Sequence, residues 1–457
     1  MKKAKKTEWK HFGTDGVRGI VGETFTTDYI SKIAHATVAG FRKRSLNATL
    51  SPKKVVIGWD TRRSCDFIVD IFAGVLAGHG VEVIKVGVVP TAGLSFLTGK
   101  LSCDIGVMVS ASHNDFRHNG IKLFSPTGEK MDDETTGEID SFISAKYIDN
   151  SASVANSVGR IMTDTKAINL WQKYLIRKFK RAGKNNSQTA EVPRQKIAVD
   201  CAFGSGAECA EAVLKSLGYD TVFFNTEADG LNINKNCGAT VPAYLSSVIK
   251  EHEKRGNGFT VGFAFDGDAD RCVAFDENGD VINGDILIAE LAKFRSVKDV
   301  VATIMFNLGV EQGLKEAGIS LIRTPVGDRY IYKVINDYNL LLGGETSGHI
   351  IFNDIWRSGD GLLTALVVLQ ALFKKGIKAS ELGSGFQVYP HTSKNIPVTR
   401  EQKKKVEEII TTKDGYKTIV RPSGTEDLVR ITVEGPDLRE CENKLQIEVY
   451  ELQKQIN

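Results

Sequence analysis

The feature of this sequence that most constrains its fold is a single pattern that occurs three times. Each time, an apolar and β-branched run precedes a polar turn, a helical segment ending at glycine, and a second apolar run. The copies begin with VVIGWD at residues 55–60, KIAVD at 196–200 and VVATIMFN at 300–307. A strand, a helix and a second strand in this order form a βαβ unit, which favours parallel or mixed sheets covered by helices. The three copies therefore predict three related α/β domains.

The first copy shows how the pattern is read. Apolar residues at helical spacing predict a helix over residues 64–79, which ends at Gly80. We expect its buried face to consist of Phe67, Ile68, Ile71, Phe72, Val75 and Leu76. The following run, VEVIKVG, alternates as a strand does.

The pattern changes after about residue 380. ITVEG at residues 431–435 reads as a strand, and residues 401–410 and 438–455 read as amphipathic helices. This predicts a smaller α+β domain of the size usual for a minor domain. We expect domain boundaries at residues 1–157, 158–258, 259–379 and 380–457. Polar residues 149–158 and 183–193 read as a linker and an exposed loop.

Composition excludes several classes of protein. The 457 residues carry 59 Lys and Arg against 56 Asp and Glu, so a net charge of +3 does not favour nonspecific binding of nucleic acid. The Lys-rich start is expected to be a solvated tail, with no apolar region of a secretory signal after it. Residues 362–373 are too short to span a bilayer and predict a buried helix. Seven scattered cysteines predict neither a disulfide framework nor a zinc site, which fits the cytoplasm.

A serine lies in the first segment that indicates chemistry, GVMVSASHNDFRHNGIKLF. An apolar strand ends in a loop with Ser112, His113 and Asn114, and Lys122 follows on the return strand. A serine beside a histidine suggests a nucleophile and a base. The alternative is a polar turn capped by the asparagine, because adjacent residues need not face each other.

Three aspartates alternate in the second segment, FAFDGDADRC. The carboxylates of Asp266, Asp268 and Asp270 repel one another unless a cation or a proton relieves them. Oxygen ligands of this kind suit Mg²⁺, while Ca²⁺ and a metal-free acidic turn are the alternatives. An EF-hand loop is disfavoured, because Arg271 stands at the position that requires glycine. Arg271 itself would hold one of the acids or point at a phosphate.

Three further loops are rich in glycine. GGETSGH offers Glu345, Thr346 and Ser347 to a polyhydroxyl ligand, or is an ordinary turn. RPSGTEDLVR combines guanidinium, hydroxyl and backbone N–H groups as a phosphate site does, or contains a helix N-cap. FGTDGVRG lacks the lysine of a nucleotide-binding loop, which argues against nucleotide binding.

Taken together, these loops resemble the α-D-phosphohexomutase superfamily. FGTDGVRG, SASHN with NGIK, DGDADR, VGDRY, GGETSGH and RPSGTE occur in that order from residue 12 to about residue 435. Within the superfamily, the bacterial phosphoglucosamine mutase family is the most similar, on FGTDGVRG, SASHN, DGLNIN at 229–234 and VGDRY at 326–330. The resemblance implies three topologically similar α/β domains with mixed sheets and a smaller C-terminal α+β domain.

The resemblance also implies an activity. Glucosamine 6-phosphate and glucosamine 1-phosphate would be interconverted through a phosphoserine and a bisphosphorylated sugar, in the synthesis of amino sugars and peptidoglycan precursors. The expected cofactors are one Mg²⁺ per active site and glucose or glucosamine 1,6-bisphosphate as activator. The expected partner is a phosphosugar, with no nucleic acid or membrane, and the protein would be a cytoplasmic monomer or homodimer.

The resemblance also implies roles for the residues at positions that match the family's motifs. The catalytic residues would be Ser112, Lys122, His113 and Arg18. The metal ligands would be Ser112, Asp266, Asp268 and Asp270. The substrate-binding residues would be Arg271, Asp328, Arg329, Glu345, Thr346, Ser347, Arg421, Ser423, Gly424, Thr425 and Arg430.

Three positions depart from the family pattern, and other functions compete. Asp115 and Asp427 stand where proline is usual, and Thr346 stands where glutamine is usual. A phosphoglucomutase or phosphomannomutase shares every catalytic loop and differs in its sugar contacts. A phosphatase would admit water to the phosphoenzyme, and a sugar-phosphate-binding regulator would lack catalysis. The presence of Ser112, Lys122 and the three aspartates argues against the regulator.

Overall fold

The computed structural model describes residues 10–13, 15–44, 52–145, 157–180, 196–423 and 427–456. The Lys-rich start, the expected loop at 183–193 and most of the expected linker at 149–158 lie outside these residues. The described strands form four sheets, of six, five, four and four strands. The expected class is confirmed: three α/β units with mixed sheets precede a smaller unit with an antiparallel sheet.

The first sheet has the strand order β1-β5-β4-β2-β3-β6. Its unit comprises β1 (Val17–Ile20), α1 (Thr27–Arg44), β2 (Lys54–Trp59), α2 (Cys65–Gly78), β3 (Glu82–Val88), α3 (Thr91–Lys100), β4 (Ile105–Val109), β5 (His118–Phe124), α4 (Asp133–Ser144) and β6 (Ile161–Thr163). β2 is parallel to β3 and β4, as a βαβ unit requires. β5 runs antiparallel to β4 and β1, so the loop after β4 turns back beside the chain's start.

The second sheet has the order β11-β10-β9-β7-β8. Its unit comprises α5 (Asn169–Phe179), β7 (Lys196–Asp200), α6 (Ala207–Ser216), β8 (Asp220–Phe224), α7 (Ala243–Lys254), β9 (Val261–Phe265), β10 (Cys272–Phe275) and β11 (Val281–Ile282). β7 is parallel to β8 and β9, and β10 returns antiparallel to β9.

The third sheet has the order β13-β12-β14-β15. Its unit comprises α8 (Gly284–Phe294), β12 (Asp299–Thr303), α9 (Leu308–Glu316), β13 (Ser320–Thr324), α10 (Asp328–Tyr338), β14 (Leu342–Gly344), β15 (Ile350–Phe352), α11 (Gly361–Lys375) and a 3₁₀ turn (Ala379–Glu381). β12 is parallel to β13 and β14. The apolar run at 362–373 lies within α11, which is buried along most of its length.

The fourth sheet is antiparallel, with the order β16-β19-β18-β17. Its unit comprises β16 (His391–Pro397), α12 (Arg400–Lys405), β17 (Ile409–Lys413), β18 (Tyr416–Pro422), β19 (Leu428–Glu434) and α13 (Leu438–Ile456). Two buried side chains join it to the third unit. Lys417 Nζ donates to the carbonyl of Phe306 at 2.6 Å, and the N–H of Leu308 donates to Glu434 Oε1 at 2.5 Å.

Several expectations are corrected by strand pairing. The expected boundary after residue 157 is wrong, because β6 pairs with β3 in the first sheet. The boundary after residue 258 is also wrong, because β9 pairs with β7 and keeps β9, β10 and β11 in the second sheet. The helix expected over 401–410 ends at Lys405, and the β-branched residues after it pair with β18. Phe67, expected on the buried face of α2, is 37% exposed.

All seven cysteines are free and buried. Across the described part of the chain, no helix combines the length and apolar character needed to cross a membrane.

Candidate active site

Ser112 occupies the loop between β4 and β5, in a backbone conformation that serine rarely adopts. Its φ is 51°, in the left-handed region, and its side chain is buried. A non-glycine residue there costs on the order of 1–3 kcal/mol, so the surroundings must impose it. The hydroxyl of Ser112 donates to Asp266 Oδ2 at 2.7 Å. The strained loop therefore presents the predicted nucleophile to the acidic loop of the second unit.

His113 follows Ser112 directly in the chain, but its ring lies far from the serine hydroxyl for a hydrogen bond. Its Nδ1 lies 3.4 Å from Ser112 Oγ, a long contact for a hydrogen bond. Burial, together with the nearby cations Arg271 and Arg18, lowers the pKa of His113 to about 4. The ring is therefore neutral at pH 7, while Asp266 provides the shorter acceptor for the serine.

The three aspartates follow β9 directly and lie together. One carboxylate oxygen from each residue lies within 4.8 Å of the other two, and all three side chains are buried. Burial, together with the neighbouring carboxylates of Asp270 and Asp268, raises the pKa of Asp266 to about 7. One oxygen each of Asp268 and Asp270 is buried without a hydrogen-bond partner among the described residues. Unpartnered oxygens clustered in this way fit a hard divalent cation such as Mg²⁺.

Thr91 fixes the acidic loop against the first unit, a contact that no pattern in the sequence indicates. Its hydroxyl donates to Asp268 Oδ2 at 2.6 Å, and its N–H donates to the carbonyl of Asp268 at 3.0 Å. Because Thr91 begins α3, the first turn of this helix sets the position of Asp268.

Lys122, on β5, lies among three carboxylates. Its Nζ is 2.8 Å from Asp268, 3.1 Å from Asp270 and 3.0 Å from Asp15. A lysine beside Mg²⁺ and arginine would have a lowered pKa. Burial does lower the pKa of Lys122, but these carboxylates outweigh burial and hold it well above its ordinary value. Lys122 is therefore an ammonium group here.

Lys122 also belongs to a closed ring of alternating charges. The ring consists, in order, of Lys122, Asp270, His349, Asp328, Lys130 and Asp15. His349 lies 3.6 Å from Asp270 and 3.5 Å from Asp328. Burial lowers the pKa of His349, but these two carboxylates raise it to about 9 overall. The ring joins the first, second and third units at one point.

Two arginines beside the ring have unused donors. Arg18 pairs with Asp15, and the N–H of Arg271 donates to Asp266 Oδ1 at 3.2 Å. The side-chain Nε atoms of both arginines are buried without a hydrogen-bond partner in the described residues. Unpartnered guanidinium donors beside a nucleophile can take an anion such as phosphate.

The predicted sugar loop connects β14 to β15. Glu345 Oε1 accepts a hydrogen bond from the N–H of Gly327 at 3.1 Å, and burial raises the pKa of Glu345. The hydroxyl of Ser347 has no partner among the described residues. The hydroxyl of Thr346 instead donates to the buried Asp285, at 2.8 Å from its Oδ1. Ser347 therefore offers an unused hydroxyl, while Glu345 Oε1 and the Thr346 hydroxyl are engaged.

Asp328 and Arg329, predicted to bind substrate, begin α10 and join units. Asp328 pairs with Lys130 and contacts His349, and Arg329 Nη2 lies 2.5 Å from Asp133 of α4. Lys130 was missed by sequence reasoning, because only the fold brings it to Asp328, 198 positions away.

The C-terminal loop presents two guanidinium groups side by side. Arg421 of β18 and Arg430 of β19 are direct partners in the antiparallel register. Burial and the charge of Arg430 lower the pKa of Arg421. The N–H of Ser423 donates to the carbonyl of Leu428 at 2.9 Å, which closes the loop. The predicted Gly424 and Thr425 lie outside the described residues.

Comparisons with known proteins agree with this arrangement. Four family models match: phosphoglucomutase/phosphomannomutase alpha/beta/alpha domain I at residues 10–148, domain II at 174–279, domain III at 283–389 and the C-terminal domain at 390–450. A phosphoglucosamine mutase of Dictyoglomus turgidum is 39% identical over 456 residues, covering 96% of this chain and 97% of that protein. One of Deinococcus radiodurans is 37% identical over 445 residues, covering 94% and 95%.

Solved structures share the fold at lower sequence identity. A phosphoglucomutase/phosphomannomutase family protein of Burkholderia thailandensis superposes with a TM-score of 0.79 at 22% identity, covering 97% of both chains. N-acetylphosphoglucosamine mutase of Aspergillus fumigatus, in complex with GlcNAc-6P and magnesium, superposes with a TM-score of 0.63 at 16% identity, covering 98% of this chain and 96% of that one.

Proposed function

The chain belongs to the phosphoglucomutase/phosphomannomutase family, and on this premise we propose that it interconverts glucosamine 6-phosphate and glucosamine 1-phosphate. The observation that carries the proposal is the hydroxyl of Ser112, held 2.7 Å from Asp266 within a buried acidic cluster. The relatives that are 35–39% identical over nearly their whole length carry the name phosphoglucosamine mutase, which supports the amino sugar as substrate.

Ser112 would carry the phosphoryl group in the active enzyme. In the first half-reaction the bond from phosphorus to Ser112 Oγ breaks, and a bond from phosphorus to the free sugar hydroxyl forms. The product is a bisphosphorylated sugar. In the second half-reaction the other phosphoryl group of this intermediate returns to Ser112. A phosphoserine carries about −1.5 to −2 charges near neutral pH, which the site must neutralise.

Asp266, Asp268 and Asp270, with an oxygen on Ser112, would hold one Mg²⁺. This ion would supply positive charge that offsets the phosphoserine and the charge on the phosphoryl group during transfer. The unpartnered donors of Arg18 and Arg271 would bind the remaining phosphoryl oxygens. Because these side chains are already held by the fold, little reorganisation would accompany the transfer.

Lys122 would move the proton that each transfer requires. As an ammonium group it can donate a proton to Ser112 Oγ when this oxygen leaves phosphorus. The resulting amine can accept the proton of the attacking sugar hydroxyl, so protons balance over the half-reaction. His113, neutral at pH 7, would hydrogen-bond to Ser112 Oγ and help to orient it.

The sugar and the phosphate that is not reacting would be held from the third and fourth units. Glu345 and Ser347 would bind sugar hydroxyls, with Thr346 in the same loop. Asp328 and Arg329 would complete this wall of the site. The phosphate clamp would consist of Arg421, Ser423, Gly424, Thr425 and Arg430. With one clamp and one reactive serine, the bisphosphate could turn round in the site, so that each of its phosphates faces Ser112 in turn.

The remaining features of the proposal concern activation and context. Glucose or glucosamine 1,6-bisphosphate would prime Ser112, and the enzyme would work in the cytoplasm as a monomer or homodimer on amino-sugar precursors of peptidoglycan.

One observation favours the alternative of glucose or mannose phosphates as substrates. Thr346 replaces the glutamine usual in the sugar loop, and its hydroxyl is engaged with Asp285.

The proposal is tested by following phosphorus in solution. Purified protein, Mg²⁺ and a trace of glucose 1,6-bisphosphate are mixed with glucosamine 6-phosphate, and ³¹P NMR records the 1-phosphate. We expect the same equilibrium mixture from either side. Release of inorganic phosphate without the 1-phosphate would identify a phosphatase, and no change at all would contradict catalysis on this sugar.

A further inference from the structure

Two backbone carbonyls of the serine loop share the same pair of side-chain donors. Arg62 Nη2 lies 3.1 Å from the carbonyl oxygen of Ser112 and 2.5 Å from that of Asn114. Asn234 Nδ2 lies 2.9 Å and 3.0 Å from the same two oxygens. The donors come from different units, because Arg62 follows β2 and Asn234 follows β8.

The hydrogen-bonding capacity of this arrangement is filled. Each donor nitrogen carries two hydrogens, and each carbonyl oxygen has two lone pairs. All four hydrogens and all four lone pairs are therefore used. The Asn234 side chain must therefore present its NH₂ group to the two carbonyls, because its oxygen would be repelled by both.

Arg62 is itself rigidly held. Its side chain is 0% exposed and forms a salt bridge with Asp60, whose side chain is also 0% exposed. Asp60 Oδ1 in addition accepts the N–H of Arg62 at 2.9 Å. An arginine whose guanidinium and backbone N–H both bind one buried carboxylate loses little further freedom when it binds the loop.

The acidic loop packs against the same place. A side chain at Gly267 would put its Cβ 2.7 Å from the carbonyl oxygen of Ser112 and 2.8 Å from Asn234 Nδ2. A glycine is therefore required between Asp266 and Asp268, because the Ser112 carbonyl and the Asn234 amide leave no room for a side chain.

We propose that Arg62 and Asn234 are positioning residues, which hold Ser112 in its left-handed conformation and so keep its hydroxyl against Asp266. This inference rests on the proposed phosphoserine reaction. Neither side chain touches Ser112 Oγ; both act through the carbonyl of the same residue. When either is lost, Ser112 can relax to a negative φ, which turns its side chain away from the acidic cluster.

Asn234→Gly isolates the role of the amide. Asn234 has a φ of 57°, and glycine adopts this conformation without strain, so only the side-chain donor is lost. Asn236→Gly is the matched control, because Asn236 lies in the same loop, is exposed and has a φ of 56°. Arg62→Lys keeps the charge and removes the fork, and Arg63→Lys is its exposed control.

The experiment measures steady-state kinetics and the rate at which Ser112 takes ³²P from labelled glucose 1,6-bisphosphate in rapid quench. We expect Asn234→Gly to lower kcat and the labelling rate at least tenfold. The KM for sugar phosphate, the half-saturating Mg²⁺ concentration and the Tm should stay within twofold or a few degrees of wild type. Arg62→Lys should lower both rates further, and both controls should match wild type.

The outcomes separate this inference from the proposed function. If wild-type Ser112 takes no label, the proposed function fails. If wild type is labelled and Asn234→Gly keeps both rates within twofold, the positioning role is overturned while the mutase proposal stands. If Arg62→Lys does not fold, Asn234→Gly decides alone. A rise in KM equal to the loss in kcat for Asn234→Gly would also contradict the inference, because it would indicate a contact with substrate.

Discussion

Arg421 and Arg430 stand directly opposite each other on the antiparallel strands β18 and β19 of the C-terminal sheet. Like charges in this position destabilise a sheet. Arg430 Nε donates to Asn395 at 2.9 Å, yet no carboxylate separates the two guanidinium groups in the register of these strands. In the proposed function, a bound phosphate would relieve this repulsion and accept hydrogen bonds from both guanidinium groups.

Arg421→Ala should weaken substrate binding more than it slows chemistry. A hydrogen bond to a charged group contributes about 1.5–3 kcal/mol, so KM for the phosphosugar should rise roughly 10–150-fold. The Tm without ligand should not fall, because the substitution also removes like-charge repulsion. Steady-state kinetics and thermal unfolding with and without inorganic phosphate measure this. The control is Arg439→Ala, which changes an exposed arginine of α13. An unchanged KM for Arg421→Ala would contradict a role of Arg421 in binding phosphate.

Ser112→Ala should abolish mutase turnover and leave the fold intact. It removes the proposed phosphoryl carrier but changes only one small side chain, which rarely costs much stability. Wild type should carry phosphate on Ser112 in part of the purified population, as peptide mapping by mass spectrometry would show. The exposed Ser141→Ala serves as control. Active wild type without any phosphate on Ser112, assayed without bisphosphate, would refute the phosphoenzyme.

Asp268→Asn should lose most activity through weaker metal binding. It keeps the shape of the side chain but removes one of three negative charges around the proposed Mg²⁺. Raising the Mg²⁺ concentration should restore part of the activity, and the half-saturating concentration should rise at least tenfold. The exposed Asp280→Asn is the control for a lost carboxylate in the same unit. Equal activity of wild type and Asp268→Asn in excess EDTA would contradict a role of the metal in the reaction.

Thr346→Gln should sharpen the preference for the amino sugar. An amide oxygen with longer reach can accept a hydrogen bond from the C2 amine, which glucose lacks. Such a bond is worth about one to two decades in the ratio of kcat/KM values. Thr346→Val, which removes the donor to Asp285 but adds no amide, separates the two effects. An equal change of the ratio in both variants would assign the effect to Asp285 and contradict a sugar contact.

Local patterns in the sequence predicted much of the fold. The βαβ copies depend on the spacing of apolar residues within about thirty positions, and β2, β7 and β12 all lie parallel to the strand that was expected. The boundaries failed because strand pairing is not local. β6 and β9 each join the preceding sheet, and nothing in their own residues indicates which neighbour they pair with.

Part of the candidate site could likewise be predicted from local patterns in the sequence, and part could not. Ser112 and the three aspartates stand out because each set is contiguous and chemically unusual. Lys130 escaped notice because its partner Asp328 lies in another unit. The raised pKa of Lys122 could not be foreseen either, because its closeness to Asp15, which precedes β1, cannot be read from the spacing of residues in the sequence.

The central claim is tested most directly by one comparison of substrates. The values of kcat/KM for glucosamine 6-phosphate, glucose 6-phosphate and mannose 6-phosphate are measured on the same preparation, with Mg²⁺ and glucose 1,6-bisphosphate present. We expect glucosamine 6-phosphate to be the best substrate and the glucose phosphate to react more weakly. A preference of ten-fold or more for glucose or mannose phosphate, about 1.4 kcal/mol in the transition state, would contradict the phosphoglucosamine mutase proposal and leave only membership of the family.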